Sequence, residues 1–267
     1  MSAGPTTDPR SWFRGNRRVP RPRLRLVCFP HAGGGPHLFR TWPSHLPEDV
    51  EVLAVCYPGR QDRLSEPGID RMEPLADLIS RALSERADVP LALFGHSMGA
   101  LVAYEVAVRL PGDAVSALLV SAHPAPHRMP PPSAEPPTDD ELLHAMAGLG
   151  GTDPALLAHE GMRDLVLPAL RADHELLRAY RPRNPAVVDI PVTGYLGEDD
   201  PLAGPPDLAA WADLTTGGFG TCVLPGGHFY LVPAERELVT DMSARLAQLP
   251  PRLARPRSDP RETSPCP

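Results

Sequence analysis

The stretch Leu91–Gly99, LALFGHSMG, is the most informative about the fold class of this chain. An apolar run leads into Gly95-His96-Ser97-Met98-Gly99, and a helix-like stretch from Ala100 to Arg109 follows. A serine with glycines two positions before and after it fits the sharp strand-to-helix turn called the nucleophile elbow, where only small neighbours leave room for the backbone. Five-residue matches of this kind also occur in ordinary glycine-rich turns. The flanking strand and helix favour the elbow and make Ser97 the candidate nucleophile.

Apolar runs without polar alternation recur along the chain on both sides of this motif. Such runs are typical of strands buried on both faces of a parallel sheet. Helical periodicity separates them, for example over 70–87, and alternation of strand and helix indicates an α/β sheet. We therefore predict an α/β fold with a mostly parallel central sheet flanked by helices. The predicted strands besides Leu91 to Phe94 are Leu24 to Phe29, Val50 to Tyr57, Ala117 to Ser121, Val192 to Leu196 and Thr221 to Leu224.

The segment between the strands ending at Ser121 and beginning at Val192 is too long for a simple crossover. It starts with seven prolines in the fourteen residues 124–137, and Thr138 with Glu141 then forms a capping-box signature. A second helix is expected over about Leu165 to Tyr180, with Pro168 near a kink or its start. We interpret residues 124–188 as a helical lid over the carboxyl ends of the strands, the alternative being a plain structural subdomain.

Charge divides the chain into a basic leader and an acidic body. Residues 1–25 carry a net charge of +6 and the remainder −13, and all 26 basic residues are arginine. An acidic body disfavours nucleic-acid binding, and no apolar run approaches the roughly 18 residues that a membrane span needs. We expect a cytoplasmic monomer with a flexible leader (1–20), an α/β domain (21–250) and a proline-rich disordered tail (251–267). Within the leader, Trp12 and Phe13 are expected to dock locally.

The four cysteines predict neither a metal site nor a disulfide. Cys28, Cys56, Cys222 and Cys266 show no paired spacing, and no cluster of Cys, His and acidic residues appears at ligand spacing. Three of them fall in predicted buried strands, where cysteine packs as a small apolar residue. We expect no metal and no cofactor.

A serine nucleophile needs a histidine base and a carboxylate that orients it. The α/β-hydrolase order is serine, acid, histidine, and His228 is the histidine that follows a late strand. Gly197 to Pro201 offers three carboxylates after the preceding strand. We choose Asp200, because a residue before proline is biased to extended backbone. Asp199 is the alternative. His96, inside the elbow, is expected to pack or to hydrogen-bond locally.

The oxyanion formed at the attacked carbonyl needs two backbone donors. One normally comes from the residue after the nucleophile, Met98, and one from a glycine-rich loop after an early strand. Pro30-His31-Ala32-Gly33-Gly34-Gly35 is such a loop, and Ala32 occupies the donor position. The glycines are equally compatible with a tight turn and no catalytic role.

Several segments together resemble the free-standing type II thioesterases associated with polyketide and nonribosomal peptide synthesis. The similarity covers about residues 11–248. The proline-histidine and proline-glycine-arginine pieces are more specific than the elbow, which many hydrolases share. The matching segments are Trp12-Phe13-Arg14, Leu26 to Gly35, Tyr57-Pro58-Gly59-Arg60, Gly95 to Gly99, Leu170-Arg171-Ala172-Asp173, Gly197 to Pro201 and Gly226-Gly227-His228-Phe229.

The resemblance implies the α/β-hydrolase fold and hydrolysis of acyl thioesters on the phosphopantetheine arm of acyl or peptidyl carrier proteins. The enzyme would act in trans and clear stalled or aberrant acyl groups. Two alternatives stay open at this point. One is a serine esterase or a cyclising thioesterase of the same fold, and the other is a catalytically silent binding module.

Overall fold

The computed structural model describes residues 8–15, 17–132, 135–151 and 159–249. Among these residues, seven strands form one sheet in the order β1-β3-β2-β4-β5-β6-β7. Strand β1 is antiparallel to β3, and every other neighbouring pair is parallel, so the predicted mostly parallel sheet is confirmed. The strands are β1 Phe13–Arg14, β2 Leu24–Phe29, β3 Val50–Val55, β4 Leu91–His96, β5 Val115–Ser121, β6 Val192–Gly197 and β7 Phe219–Leu224.

Helices cover both faces of the sheet. They are α1 Met72–Ser84, α2 Met98–Arg109, α3 Asp139–Gly148, α4 Glu160–Ala179, α5 Pro205–Ala209 and α6 Glu235–Ala247. Alternate side chains of each strand enter opposite cores, as strand geometry requires. Val27 and Leu93 share one core with α1 and α2, whereas Leu26 and Phe94 share the other with α6. The central strands are therefore buried on both faces, which explains why their sequences are mostly apolar.

The candidate site lies at the point where successive strands change the direction in which they are added to the sheet. From β2 the chain moves outward to β3 and then crosses back to β4 on the other side of β2. Ligand sites in open α/β sheets lie at the carboxyl ends of the strands at such a switch point. Phe29 is paired with Gly95, so the glycine-rich loop after β2 begins beside the elbow after β4.

The predicted lid contains α3 and α4. Thr138 caps α3, since its hydroxyl accepts from the Glu141 amide while the Glu141 carboxylate accepts from the Thr138 amide, which confirms the capping box. Leu142, Leu143 and Met146 of α3 and Leu170 of α4 form a small core of their own, and Ala32 packs against it. The lid helices therefore rest directly on the glycine-rich loop.

Several boundaries differ from the predicted ones, for example the end of β3 at Val55 and the start of β5 at Val115. The folded part starts earlier than residue 21, because Trp12 and Phe13 are buried and Phe13–Arg14 pairs with β3. Helix α4 begins at Glu160, and Pro168 lies inside it, where buried Leu170 and Leu176 maintain the packing beyond the proline. Strand β7 begins at Phe219, because the glycine-rich lead-in pairs with β6. Residues 1–7 of the leader and the tail beyond 249 lie outside the described residues.

Within the described ranges, no helix combines the length and the apolar character that crossing a membrane requires.

Candidate active site

Ser97 occupies the turn between β4 and α2 in a strained backbone conformation. Its φ of 55° and ψ of −125° are unusual for a residue with a side chain. The turn is fixed from both sides, because the Ser97 amide donates to the Ser121 carbonyl at 2.8 Å and the Ser97 carbonyl accepts from the Ala100 amide at 2.9 Å. This is the geometry that the elbow motif predicts.

Both elbow positions require glycine because other backbone atoms lie where a Cβ atom would be. A Cβ on Gly95 would lie 2.0 Å from the Gly99 carbonyl oxygen, and one on Gly99 would lie 2.1 Å from the Phe29 carbonyl oxygen. Both gaps are far below van der Waals contact and involve backbone atoms, which cannot move aside cheaply. The elbow is thus packed against the end of β2, where the glycine-rich loop starts.

His228 and Asp200 form a buried pair. The Nδ1 of His228 lies 3.1 Å and 3.0 Å from the two carboxylate oxygens of Asp200, and their side chains are 2% and 0% exposed. A carboxylate only accepts, so Nδ1–H donates and Nε2 is left to act as the base. Asp200 also accepts from the Leu202 amide at 2.9 Å, whereas Asp199 is exposed. The structure thus pairs His228 with Asp200, the residue before the proline.

The loops that carry this pair are joined by backbone hydrogen bonds. The Glu198 amide donates to the Leu224 carbonyl at 2.8 Å, and the Asp199 amide donates to the Gly226 carbonyl at 2.9 Å. A Cβ on Gly197 would lie 2.2 Å from the Gly227 carbonyl oxygen, so glycine is needed where the two loops meet. Asp200 and His228 are therefore held by loops at the ends of the adjacent strands β6 and β7.

The pair lies next to the elbow. The ring centroid of His228 is 5.0 Å from that of His96, the residue before Ser97. His96 is buried, its Nδ1 lies 2.9 Å from the Ser121 hydroxyl, and that hydroxyl lies 2.7 Å from the Tyr230 hydroxyl. The expected local role of His96 is confirmed, and its ring forms part of the wall behind His228.

The two candidate oxyanion donors start from adjacent strand ends. Met98 is the first residue of α2, and Ala32 lies in the loop after β2. In that loop the Gly33 amide donates to an Asp173 carboxylate oxygen at 2.7 Å, and the Gly34 amide donates to the His31 carbonyl at 2.9 Å. Both glycine amides thus donate hydrogen bonds within the protein, and these bonds fix the conformation of the loop.

Three further histidines around the pair are held neutral. Burial, reinforced by the neighbouring His228, lowers the pKa of His31 to about 3 and that of His123 to about 4, and it places the pKa of His96 well below its usual range. His123 donates through Nδ1 to the Pro124 carbonyl at 2.8 Å. At neutral pH these three rings therefore add no positive charge beside His228.

These histidines give the fold a pH dependence. In the unfolded chain they bind protons below about pH 6.5, whereas the folded chain takes them up only near pH 4 or below. The contribution of these histidines to the free energy of unfolding is therefore fully present above about pH 6.5. It is lost as the pH falls toward 4, by up to about 1.4 kcal/mol per pH unit for each histidine. Urea unfolding at pH 7, 6 and 5 measures this slope.

His123→Gln, which keeps a donor for Pro124, is expected to reduce the slope. Replacement of the exposed His144 by glutamine is the matched control and leaves it unchanged. An identical slope in wild type and His123→Gln would contradict the assignment.

No group of three or more His, Cys, Asp or Glu side chains in the described part of the chain is arranged to hold a metal ion. The buried Cys28 and Cys56 are free thiols, and burial raises the pKa of both.

Known proteins resemble this chain in sequence and in fold. The family model described as a thioesterase domain matches residues 24–246. Thioesterase PikA5 of Streptomyces venezuelae is 37% identical over 243 residues, which are 90% of this chain and 86% of that protein. The solved type II thioesterase BorB from the borrelidin biosynthetic cluster superposes with a TM-score of 0.81 at 36% identity, covering 88% of this chain and 98% of that one.

A second solved structure, the thioesterase RedJ from the prodiginine pathway of Streptomyces coelicolor, is 39% identical with a TM-score of 0.76. The match covers 84% of this chain and 86% of the RedJ chain. The resemblance read from the sequence motifs is confirmed. The chain belongs to the thioesterase family and is a hydrolase of the α/β-hydrolase fold.

Proposed function

We propose that this enzyme hydrolyses acyl thioesters on the phosphopantetheine arm of carrier proteins, with Ser97 as nucleophile, His228 as base and Asp200 as its partner. The observation that supports this most is the buried His228–Asp200 pair whose imidazole lies 5.0 Å from the ring preceding the strained Ser97. A triad is recognised by such geometry and roles rather than by sequence position.

In the first half of the reaction, the Ser97 hydroxyl oxygen bonds to the thioester carbonyl carbon while Nε2 of His228 takes its proton. Asp200 stabilises the imidazolium through the Nδ1–H hydrogen bond. The carbonyl oxygen becomes an oxyanion, which the amides of Met98 and Ala32 bind. The carbon–sulfur bond then breaks, and the leaving sulfur takes the proton from His228. Ser97 is left carrying the acyl group as an ester.

In the second half, His228 removes a proton from water, and the resulting hydroxide attacks the acyl-Ser97 ester. The carbon–oxygen bond to Ser97 breaks, and Ser97 recovers its proton from His228. A free carboxylic acid and the thiol of the carrier are the products. A thiol with a free pKa of roughly 8.5 leaves far more readily than an amine, so this site suits thioesters.

The relatives support the identity of the partner. The names of BorB and RedJ place them in biosynthetic pathways, and the first is called a type II thioesterase. By analogy, the present enzyme acts in trans on acyl or peptidyl carrier proteins, as a cytoplasmic monomer that removes stalled or aberrant acyl groups. The site geometry supports serine-dependent acyl transfer, and the similarity to thioesterases supports a carrier-bound thioester as the substrate.

The test is to supply carrier proteins loaded with acetyl, propionyl, malonyl and aminoacyl groups in water enriched in ¹⁸O. Mass spectrometry is expected to find the free thiol of the carrier and a free acid carrying one ¹⁸O, because water attacks the acyl-enzyme. A ring or an ester as the product would instead identify a cyclising or transferring enzyme. If the amount of acyl thioester does not fall on any of the carriers, the alternative of a catalytically silent binding module is favoured.

A further inference from the structure

A buried ion pair joins the lid helix to the loop after β3. Asp173 of α4 and Arg60 are 3% and 7% exposed. The guanidinium contacts both carboxylate oxygens, with Nη1 2.9 Å from Oδ2 and Nη2 2.8 Å from Oδ1. The two residues are 113 positions apart, so no local sequence pattern brings them together.

Both members of the pair also hold the glycine-rich loop. The Gly33 amide donates to Asp173 Oδ2 at 2.7 Å, and Arg60 Nη1 donates to the Gly34 carbonyl at 2.9 Å. The Tyr57 hydroxyl reaches the Pro30 carbonyl of the same loop at 3.3 Å. The Ala32–Gly33 peptide is therefore held by Asp173, and the Gly34–Gly35 peptide is held by Arg60.

Packing restricts the loop further. Gly33 has a φ of +73°, and a Cβ there would lie 3.2 Å from Leu170 Cδ1 and 3.4 Å from Met146 Sδ, both on lid helices. The loop cannot move toward the lid without displacing these side chains. Its position is set by α3 and α4 as much as by β2.

Stability alone does not account for this pair. Burying two charges costs desolvation that their attraction roughly balances, and apolar residues of similar volume often serve as well. The Arg60 Nε is buried and makes no hydrogen bond within the described residues. A charged pair differs from an apolar pair in that it defines an orientation. The bidentate guanidinium–carboxylate contact fixes both groups in one geometry.

We propose that Asp173 and Arg60 are positioning residues that hold the Ala32 amide where the oxyanion forms. The lid helix α4 is thus part of the support of the oxyanion hole as well as a cover. This inference rests on the proposed function, since it requires Ser97 to generate an oxyanion near Ala32. An oxyanion donor acts only within a few tenths of an ångström of its best position, and losing one costs roughly 10²- to 10³-fold in kcat.

Three variants separate positioning from folding. Asp173→Asn keeps the size and removes the charge, Asp173→Glu keeps the charge and displaces it by one methylene, and Arg60→Met with Asp173→Leu replaces the pair by apolar side chains. Each is expected to lower kcat about 10- to 100-fold, with KM changed by less than about 3-fold, because the oxyanion donor is misplaced while the groups that bind the substrate stay in position.

The substrate is propionyl-N-acetylcysteamine, a small thioester that needs no carrier, and the second readout is inhibition by an alkyl boronic acid. Boron bonded to Ser97 mimics the tetrahedral oxyanion, so its affinity should fall in parallel with kcat. Urea unfolding midpoints report the fold. The matched control is Arg171→Gln, which breaks an exposed ion pair between the same helix and Asp139 and should leave kcat and boronate affinity unchanged.

Wild-type kcat and boronate affinity in the apolar double variant or in Asp173→Glu would overturn the inference. So would a loss of activity that is fully explained by a lower fraction of folded protein. Ser97→Ala in the same assay tests the proposed function separately. If it retains the wild-type rate, the nucleophile assignment fails, whereas a dead Ser97→Ala with a fully active Asp173→Glu refutes only the positioning role.

Discussion

Replacing Ser97 by alanine is expected to lower kcat for thioester hydrolysis by roughly 10⁴- to 10⁶-fold, because the reaction loses the atom that carries the acyl group. The fold should persist, since the strained turn is held by backbone hydrogen bonds that alanine keeps. Alanine also lacks the hydroxyl that a fluorophosphonate labels. Turnover of propionyl-N-acetylcysteamine and the mass of the labelled protein measure both effects.

The matched control is Ser116→Ala on the neighbouring strand β5. Its hydroxyl is buried and makes no hydrogen bond within the described ranges, so its removal should leave both turnover and labelling unchanged. Labelling that survives in Ser97→Ala, at a different serine, would relocate the site.

Asp200→Asn is expected to lower kcat about 10⁴-fold while leaving KM close to the wild-type value. The neutral amide cannot stabilise the imidazolium, and it no longer forces the proton onto Nδ1 of His228, so Nε2 is no longer reliably the base. Rates over pH 5–9 with the small thioester give kcat and KM for each variant.

Asp199→Asn is the control for the adjacent carboxylate. Asp199 is exposed, and its contact with the His228 loop is made by its backbone amide, which the substitution preserves. Its kcat should stay within about 2-fold of wild type, as is usual for surface changes. A large loss of kcat in Asp199→Asn together with a small loss of kcat in Asp200→Asn would identify Asp199, and not Asp200, as the carboxylate that supports His228.

The sequence predicts most of the scaffold because the signals that specify it are local. Polar side chains are few in β2, β4 and β6 since both faces of these strands are buried, and the elbow is recognisable by glycines that close backbone contacts demand. Asp200 is favoured over Asp199 by its position before Pro201, and the structure pairs it with His228. These features depend on neighbours along the chain.

What sequence reasoning misses depends on distant parts of the chain. The strand at Phe13–Arg14 has two residues and exists only through pairing with β3, and the glycine-rich start of β7 is extended only by pairing with β6. Arg60 and Asp173 belong to motifs that the sequence singles out, yet their contact with each other and with Gly33 appears only in three dimensions. Neutral His31 and His123 are likewise consequences of burial, which the local sequence does not encode.

The backbone ladder that joins the loops after β6 and β7 has a consequence for selectivity. Since the Glu198 and Asp199 amides join the loop of Asp200 to the loop of His228 by main-chain hydrogen bonds, the relative position of these two side chains is set by the ends of β6 and β7. Under the proposed function, removal of an acyl group depends on how long the group stays on its carrier, because a group that stays longer meets the enzyme more often.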